Sequence, residues 1–145
     1  MIWQVVAWKN SGPRVEVSGV QGFSYGPLGT FRLFSIDVKN SGRLATVVNY
    51  LRLRAGEKDI VFFQERLLEG RWPVELPPGG VTSFKLRMSE LAEICLKDGC
   101  DIMLLRPLVE TGHGSFTGDF SKAFYTDLQR EIESLRDLRN SSESE

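Results

Sequence analysis

Chemistry in this 145-residue chain would have to come from few side chains: one histidine, two cysteines and scattered carboxylates. Cys95 and Cys100 are the only thiols, spaced C-x₄-C, and His113 is the only imidazole. A structural zinc site takes about four ligands, mostly thiolate or imidazole. Asp98 or Asp101 would have to complete a set begun by Cys95, Cys100 and His113, and no second Cys or His pair supplies the usual spacing. The expectation is no metal and no cofactor, with both thiols reduced and partly buried, as in a reducing compartment.

His113 lies within Gly112-His113-Gly114-Ser115. A nucleophile elbow needs Gly-x-Ser-x-Gly between a strand and a helix. The dinucleotide fingerprint needs Gly-x-Gly-x-x-Gly inside a βαβ unit. Gly112, Gly114 and Gly118 satisfy neither pattern. The carboxylate pairs Glu57/Asp59 and Asp98/Asp101 fall in turns, where acids bond neighbouring amides. These residues point away from an enzyme. The alternative is metal-dependent or nucleophilic chemistry centred on His113 with Cys95 or Cys100.

The elements that would position such groups are mainly strands. Val15 and Val17 alternate with polar neighbours, as do Phe34, Ile36 and Val38 further on, which is the period of a half-buried strand. Asn40-Ser41-Gly42 reads as a turn of residues that tolerate positive φ. A strand from Thr46 to Arg54 follows, with Val47, Leu51 and Leu53 inward, then a hairpin at Gly56-Glu57-Lys58 and a return strand from Asp59 to Phe63. Pro73, Pro77, Pro78, Gly79 and Gly80 leave room for a short edge strand at most. Thr82 to Met88 alternates again, and Ser89 is placed to cap a short helix near 89–96 that Asp98-Gly99 ends. Asp101 to Val109 reads as a buried strand.

From Ser121 the period changes. Phe124, Leu128, Ile132, Leu135 and Leu138 recur at three- and four-residue steps without Gly or Pro, which predicts an amphipathic helix over 121–139. The expected organisation is a β-sandwich over 1–120, that helix packed on it or on a partner, and a disordered tail over 140–145. The fold class is mainly β: an antiparallel immunoglobulin-like sandwich with a short helix near 89–96 and a C-terminal amphipathic helix.

Eighteen basic residues against nineteen acidic ones give a formal net charge of −1, which excludes a general nucleic-acid binder. The balance is uneven: residues 1–72 hold ten basic and six acidic side chains, residues 73–145 eight and thirteen. The apolar stretch Ile2–Trp8 contains Gln4 and ends at Lys9, too short for a signal core or a membrane span. A cytoplasmic protein with no membrane span is the resulting expectation.

Ile36-Asp37-Val38-Lys39-Asn40-Ser41-Gly42-Arg43, then Leu51-Arg52-Leu53-Arg54, then Leu76-Pro77-Pro78-Gly79-Gly80 ahead of Phe84 recur as turn and core motifs in that order. With Leu108-Val109-Glu110-Thr111-Gly112-His113-Gly114 in the last position, residues 14–118 resemble a diffuse group of uncharacterised bacterial immunoglobulin-like domains. The resemblance implies a sandwich fold and transfers no catalytic motif.

Two candidate surfaces remain. Tyr50, Arg52 and Arg54 share the outward side of one strand, and Lys85 and Arg87 that of another. In one sheet they would form a basic patch suited to an acidic protein surface, or to phosphates in the alternative nucleic-acid reading. The stripe Phe124, Leu128, Ile132 and Leu135 would bind a protein partner, and could also pair two copies as a homodimer. The sequence therefore reads as a non-enzymatic protein-interaction module, a small bacterial or phage protein that docks on and modulates a larger complex.

Overall fold

Alternation of apolar and polar residues sets the architecture in the computed structural model, which describes residues 14–27, 29–62 and 64–143. The stretch Ile2–Trp8 lies outside the described residues. In chain order the elements are β1 (Val15–Gly26), β2 (Gly29–Asn40), β3 (Thr46–Ala55), β4 (Lys58–Val61), β5 (Val74–Leu76), β6 (Val81–Arg87), α1 (Met88–Asp98), β7 (Leu105–Thr111), β8 (Gly114–Thr117), β9 (Asp119–Phe120) and α2 (Lys122–Glu143). One sheet has the order β6-β2-β1-β9, and the other β4-β3-β7-β8 with β5 also paired to β3. Every pairing is antiparallel except the two-residue β1–β9 contact.

The sheets stack as a sandwich because their apolar faces have nowhere else to go. Phe34, Ile36, Val38, Phe84 and Leu86 line one inner face, and Val48, Leu51, Leu53, Leu105 and Val109 the other, all fully buried. The helices extend this core. Met88, Leu91, Ala92 and Cys95 of α1 and Phe124, Leu128 and Ile132 of α2 belong to the same buried cluster. The Phe124 ring stacks on Phe120 at 3.7 Å between centroids and meets Phe34 edge-on at 5.6 Å. Such aromatic pairs contribute about 0.5–1.5 kcal/mol beyond the area they bury.

The chain changes sheets between β8 and β9, with Gly118 at the crossing. The Gly118 amide donates to the Pro107 carbonyl at 3.0 Å. That bond explains why a proline is accepted inside β7. Pro107 pairs with Leu53 on one side, and β8 ends opposite Leu108, so on the Gly118 side only its carbonyl is needed.

Several expectations are corrected. Gly42 does not adopt positive φ, nor does any described residue other than glycine. The turn is made instead by Asn40, which is completely buried. Its side-chain amide donates to the carbonyls of Leu44 (2.7 Å) and Leu76 (3.0 Å), while its Oδ1 accepts from the Gly42 amide (3.0 Å). Its backbone also exchanges bonds with Gly79 and Gly80, so one residue ties two turns together. In β3 the inward residue is Val48, and Val47 is exposed. A register shift between Val48 and Tyr50 inserts one residue, which resets the alternation so that Leu51, Leu53 and Ala55 point inward.

The helix over 121–139 runs from Lys122 to Glu143, so residues 140–143 of the expected disordered tail are helical. Ser89 is not the cap of α1. The cap position is Arg87, which makes no side-chain cap bond, and the other end closes on Gly99 at φ 67° with its amide bonded to the Cys95 carbonyl. Asp101 caps a 3-10 turn over Ile102–Leu104, and β7 begins only at Leu105.

Candidate functional site

The basic patch does not form. Tyr50, Arg52 and Arg54 stand on the outer side of β3 in one sheet, whereas Lys85 and Arg87 belong to β6 in the other. Alternation identifies which side of a strand a residue occupies, but the sheet is decided by pairing between distant segments. Each cation also has a local partner. Arg52 reaches Asp59 (3.0 Å) with one guanidinium nitrogen and Glu110 with another, and Arg54 reaches Asp59 at 3.1 Å. Arg106 pairs with Asp119 at 3.2 Å. Two guanidinium groups, Arg52 and Arg54, thus share two carboxylates, Asp59 and Glu110, on this sheet, and the Arg106–Asp119 pair joins it to β9 of the other.

On β6, Lys85 pairs with Glu69 at 2.8 Å, and the hydrogen bond and charge of Glu69 hold its ammonium protonated above the ordinary lysine range. Arg87 lies over the Phe31 ring, 4.3 Å from its centroid. That is cation–π geometry, with the guanidinium over an aromatic face.

The helical stripe is occupied by the chain's own core. Phe124 and Leu128 are fully buried and Ile132 nearly so, against the sandwich and α1. Leu135 is half-buried against the same cluster, and only Leu138, at 67% exposed, faces away. Of the two placements open to α2, the structure shows packing on the sandwich.

Cys95 and Cys100 do sit together, but apart from His113. Both amides after the helix, Gly99 and Cys100, donate to the Cys95 carbonyl (2.9 and 3.3 Å), which places the two cysteines at the apolar contact positions of a helix C-cap. Burial pushes the Cys95 thiol up to about 12, with the neighbouring Cys100 thiol adding to it, so it is not a poised nucleophile. His113 lies at the opposite end of β7, a strand about 20 Å long at roughly 3.3 Å per residue. There it is exposed, with Nδ1 2.9 Å from the Thr46 hydroxyl. A joint site of His113 with Cys95 or Cys100 does not exist in this geometry. Among the described residues no cluster of three His, Cys, Asp or Glu side chains is arranged to hold a metal ion, and no helix is long and apolar enough to cross a membrane.

A surface that sequence reading missed is the far half of the β1–β2 hairpin. β6 pairs with β2 only from Leu33 to Lys39, and β9 pairs with β1 only at Ser18 and Gly19. From Phe23 and Arg32 to the end of the hairpin, the two strands pair with no other strand among the described residues. Phe23 (49% exposed) and Tyr25 (80%) stand out from one face of this segment, while Val20 (43%), just before it, and Phe31, half-buried beneath Arg87, lie on the other face. Arg32, the first charge after it, is held by Glu131 of α2 at 3.3 Å. The signal was present in the sequence: residues 20–31 contain no charged side chain, in a chain where 26% of residues are charged. No protein-family model matches the chain, and no curated protein matches it.

Proposed function

We propose that the chain is a non-enzymatic protein-interaction module of immunoglobulin-like build, which docks on a larger assembly through the outer half of its β1–β2 hairpin. The observation that carries this reading is the uncharged run over residues 20–31, which displays Phe23 and Tyr25 on one face of the hairpin, beyond the last residues that β6 and β9 pair. Exposed apolar surface of this kind is costly to leave in water and is typical of contact sites. Tyr and Phe are also the side chains that anchor interfaces best. The ion pairs of Arg52 and Arg54 with Asp59 and Glu110 on the other sheet support the same assignment, because they engage with carboxylates the cations that a phosphate would otherwise meet there.

The test is quantitative capture of partners from the native host with the wild-type chain and with the double variant Phe23→Ser, Tyr25→Ser. The variant removes the apolar side chains while keeping the segment uncharged. A protein bound by the wild type and reduced at least about tenfold on the variant is expected, since losing one anchor costs more than about 1.4 kcal/mol. Equal recovery on both baits would exclude the hairpin as the docking surface.

A further inference from the structure

The turn that ends α1 brings the two thiols of the chain together. Gly99 takes the left-handed position after the last helical residue, and the Cys100 amide reaches back to the Cys95 carbonyl at 3.3 Å. Such a closure sets the side chains of its first and last residues side by side, a contact usually made by aliphatic carbon. Here both residues are cysteines, and the Cys100 side chain lies within hydrogen-bond reach of the Cys95 thiol. Lys58 holds the turn from outside, its ammonium donating to the Asp98 carbonyl at 3.1 Å.

Exposure gives the two thiols different parts. Cys95 is 3% exposed and belongs to the buried cluster, whereas Cys100 is half-buried and packs against that cluster. Both residues line an open cavity of about 310 Å³ between the end of α1 and α2, whose far wall includes Gln129 and Ile132. One water occupies about 30 Å³ of liquid, so a solute as small as hydrogen peroxide is readily admitted. Cys100 meets such a solute first, and Cys95 waits beside it with its proton held by burial.

We infer that Cys100 is a site of oxidation by peroxide and that Cys95 resolves it, closing a Cys95–Cys100 disulfide across the end of α1. The Cys100 thiolate attacks one peroxide oxygen and the O–O bond breaks. The released hydroxide takes up a proton, which leaves a sulfenic acid and one water. The Cys95 sulfur then attacks the Cys100 sulfur, and the S–O bond breaks. Hydroxide departs with the Cys95 proton as a second water. Two thiols and one peroxide become one disulfide and two waters, and no cofactor enters the balance. This assignment stands apart from the docking reading of the hairpin.

The purified full chain, reduced and freed of reductant, is treated with hydrogen peroxide and then digested with trypsin without reduction. Cleavage after Lys97 separates the two cysteines, so the disulfide is read as peptides 88–97 and 98–122 joined together. The wild type is expected to give that joined pair, to run as a single chain on a non-reducing gel, and to recover both thiols with dithiothreitol. Cys95→Ala is expected to accumulate a sulfenic acid at Cys100 that dimedone labels, while the wild type, which consumes its own, is not labelled. Cys100→Ala is expected to keep its buried thiol reduced under the same treatment. The wild-type peptide map decides the matter even if Cys95→Ala fails to fold. Peptides that stay separate, disulfides only between chains, or a wild type that dimedone labels as strongly as Cys95→Ala would each overturn the assignment.

Discussion

Gly118 lies against the carbonyl of Val17 so closely that a Cβ built on Gly118 would fall within the radius of that oxygen. This contact is where the chain leaves one sheet for the other, and backbone cannot retreat as a flexible side chain can. Gly118→Ala is expected to lower stability by about 3 kcal/mol, the upper range for overpacking a closed site. Gly112→Ala is the control, because nothing lies within 4 Å of its Cβ position. Urea melts of both variants check this, and similar midpoints would show that the crossing is not tight.

Arg52 joins two carboxylates while its own side chain is 20% exposed, and its Nε is buried without a partner. Arg52→Ala leaves Asp59 and Glu110 without their shared cation, and is expected to cost about 2 kcal/mol. Arg54→Ala removes a more exposed pair and is expected to cost less than about 0.5 kcal/mol. Chemical denaturation at low and high salt distinguishes the two, since equal losses would mean the network contributes no more than a surface pair.

Phe124 connects α2 to the sandwich through Phe120 and Phe34. Truncation to alanine removes a fully buried ring and is expected to destabilise by about 3–5 kcal/mol. Leu138→Ser on the exposed side of the same helix is expected to change stability by less than about 0.5 kcal/mol. Thermal melts give both values, and a harmless Phe124→Ala would mean that α2 is not part of the core.

The Cys95 thiol ordinarily ionises near 9.0, and burial raises it to about 12 in the folded chain. The folded state therefore resists losing this proton, whereas the unfolded state gives it up. The contribution is fully present below pH 9 and falls as pH rises from 9 towards 12. Cys95→Ala is expected to lose less stability over that interval than the wild type. Parallel alkaline pH–stability curves for the two proteins would contradict a buried, neutral thiol.

The strands from Val15 and through Phe34, Ile36 and Val38, the hairpin at Gly56 and the amphipathic run from Phe124 are all local patterns, and each appears in the fold. What local pattern does not contain is the choice of sheet. The outward faces of β3 and β6 look alike in sequence, yet long-range pairing sends them to opposite sides of the core. The inserted residue in β3 was hidden for a related reason: Val47 and Val48 are both β-branched, and only the pairing with β7 decides which one turns inward. The outer half of the β1–β2 hairpin escaped because Gly22, Gly26 and Gly29 dilute the alternation there. The absence of charge over residues 20–31 was legible, and it marks the surface that alternation could not.

Asn40 precedes Ser41, a combination in which an asparagine can lose its side-chain nitrogen slowly and without any enzyme. That conversion starts when the next backbone nitrogen attacks the side-chain carbonyl carbon. Here the Ser41 amide is already bonded to the Arg14 carbonyl at 2.7 Å, and the Asn40 side chain is fixed by two carbonyls and the Gly42 amide. The attack requires this turn to open first. Were it to proceed, the resulting carboxylate would face the Leu44 and Leu76 carbonyls with no proton to offer them. The hydrogen bonds that join the two turns thus also set how long an old molecule keeps its original covalent structure.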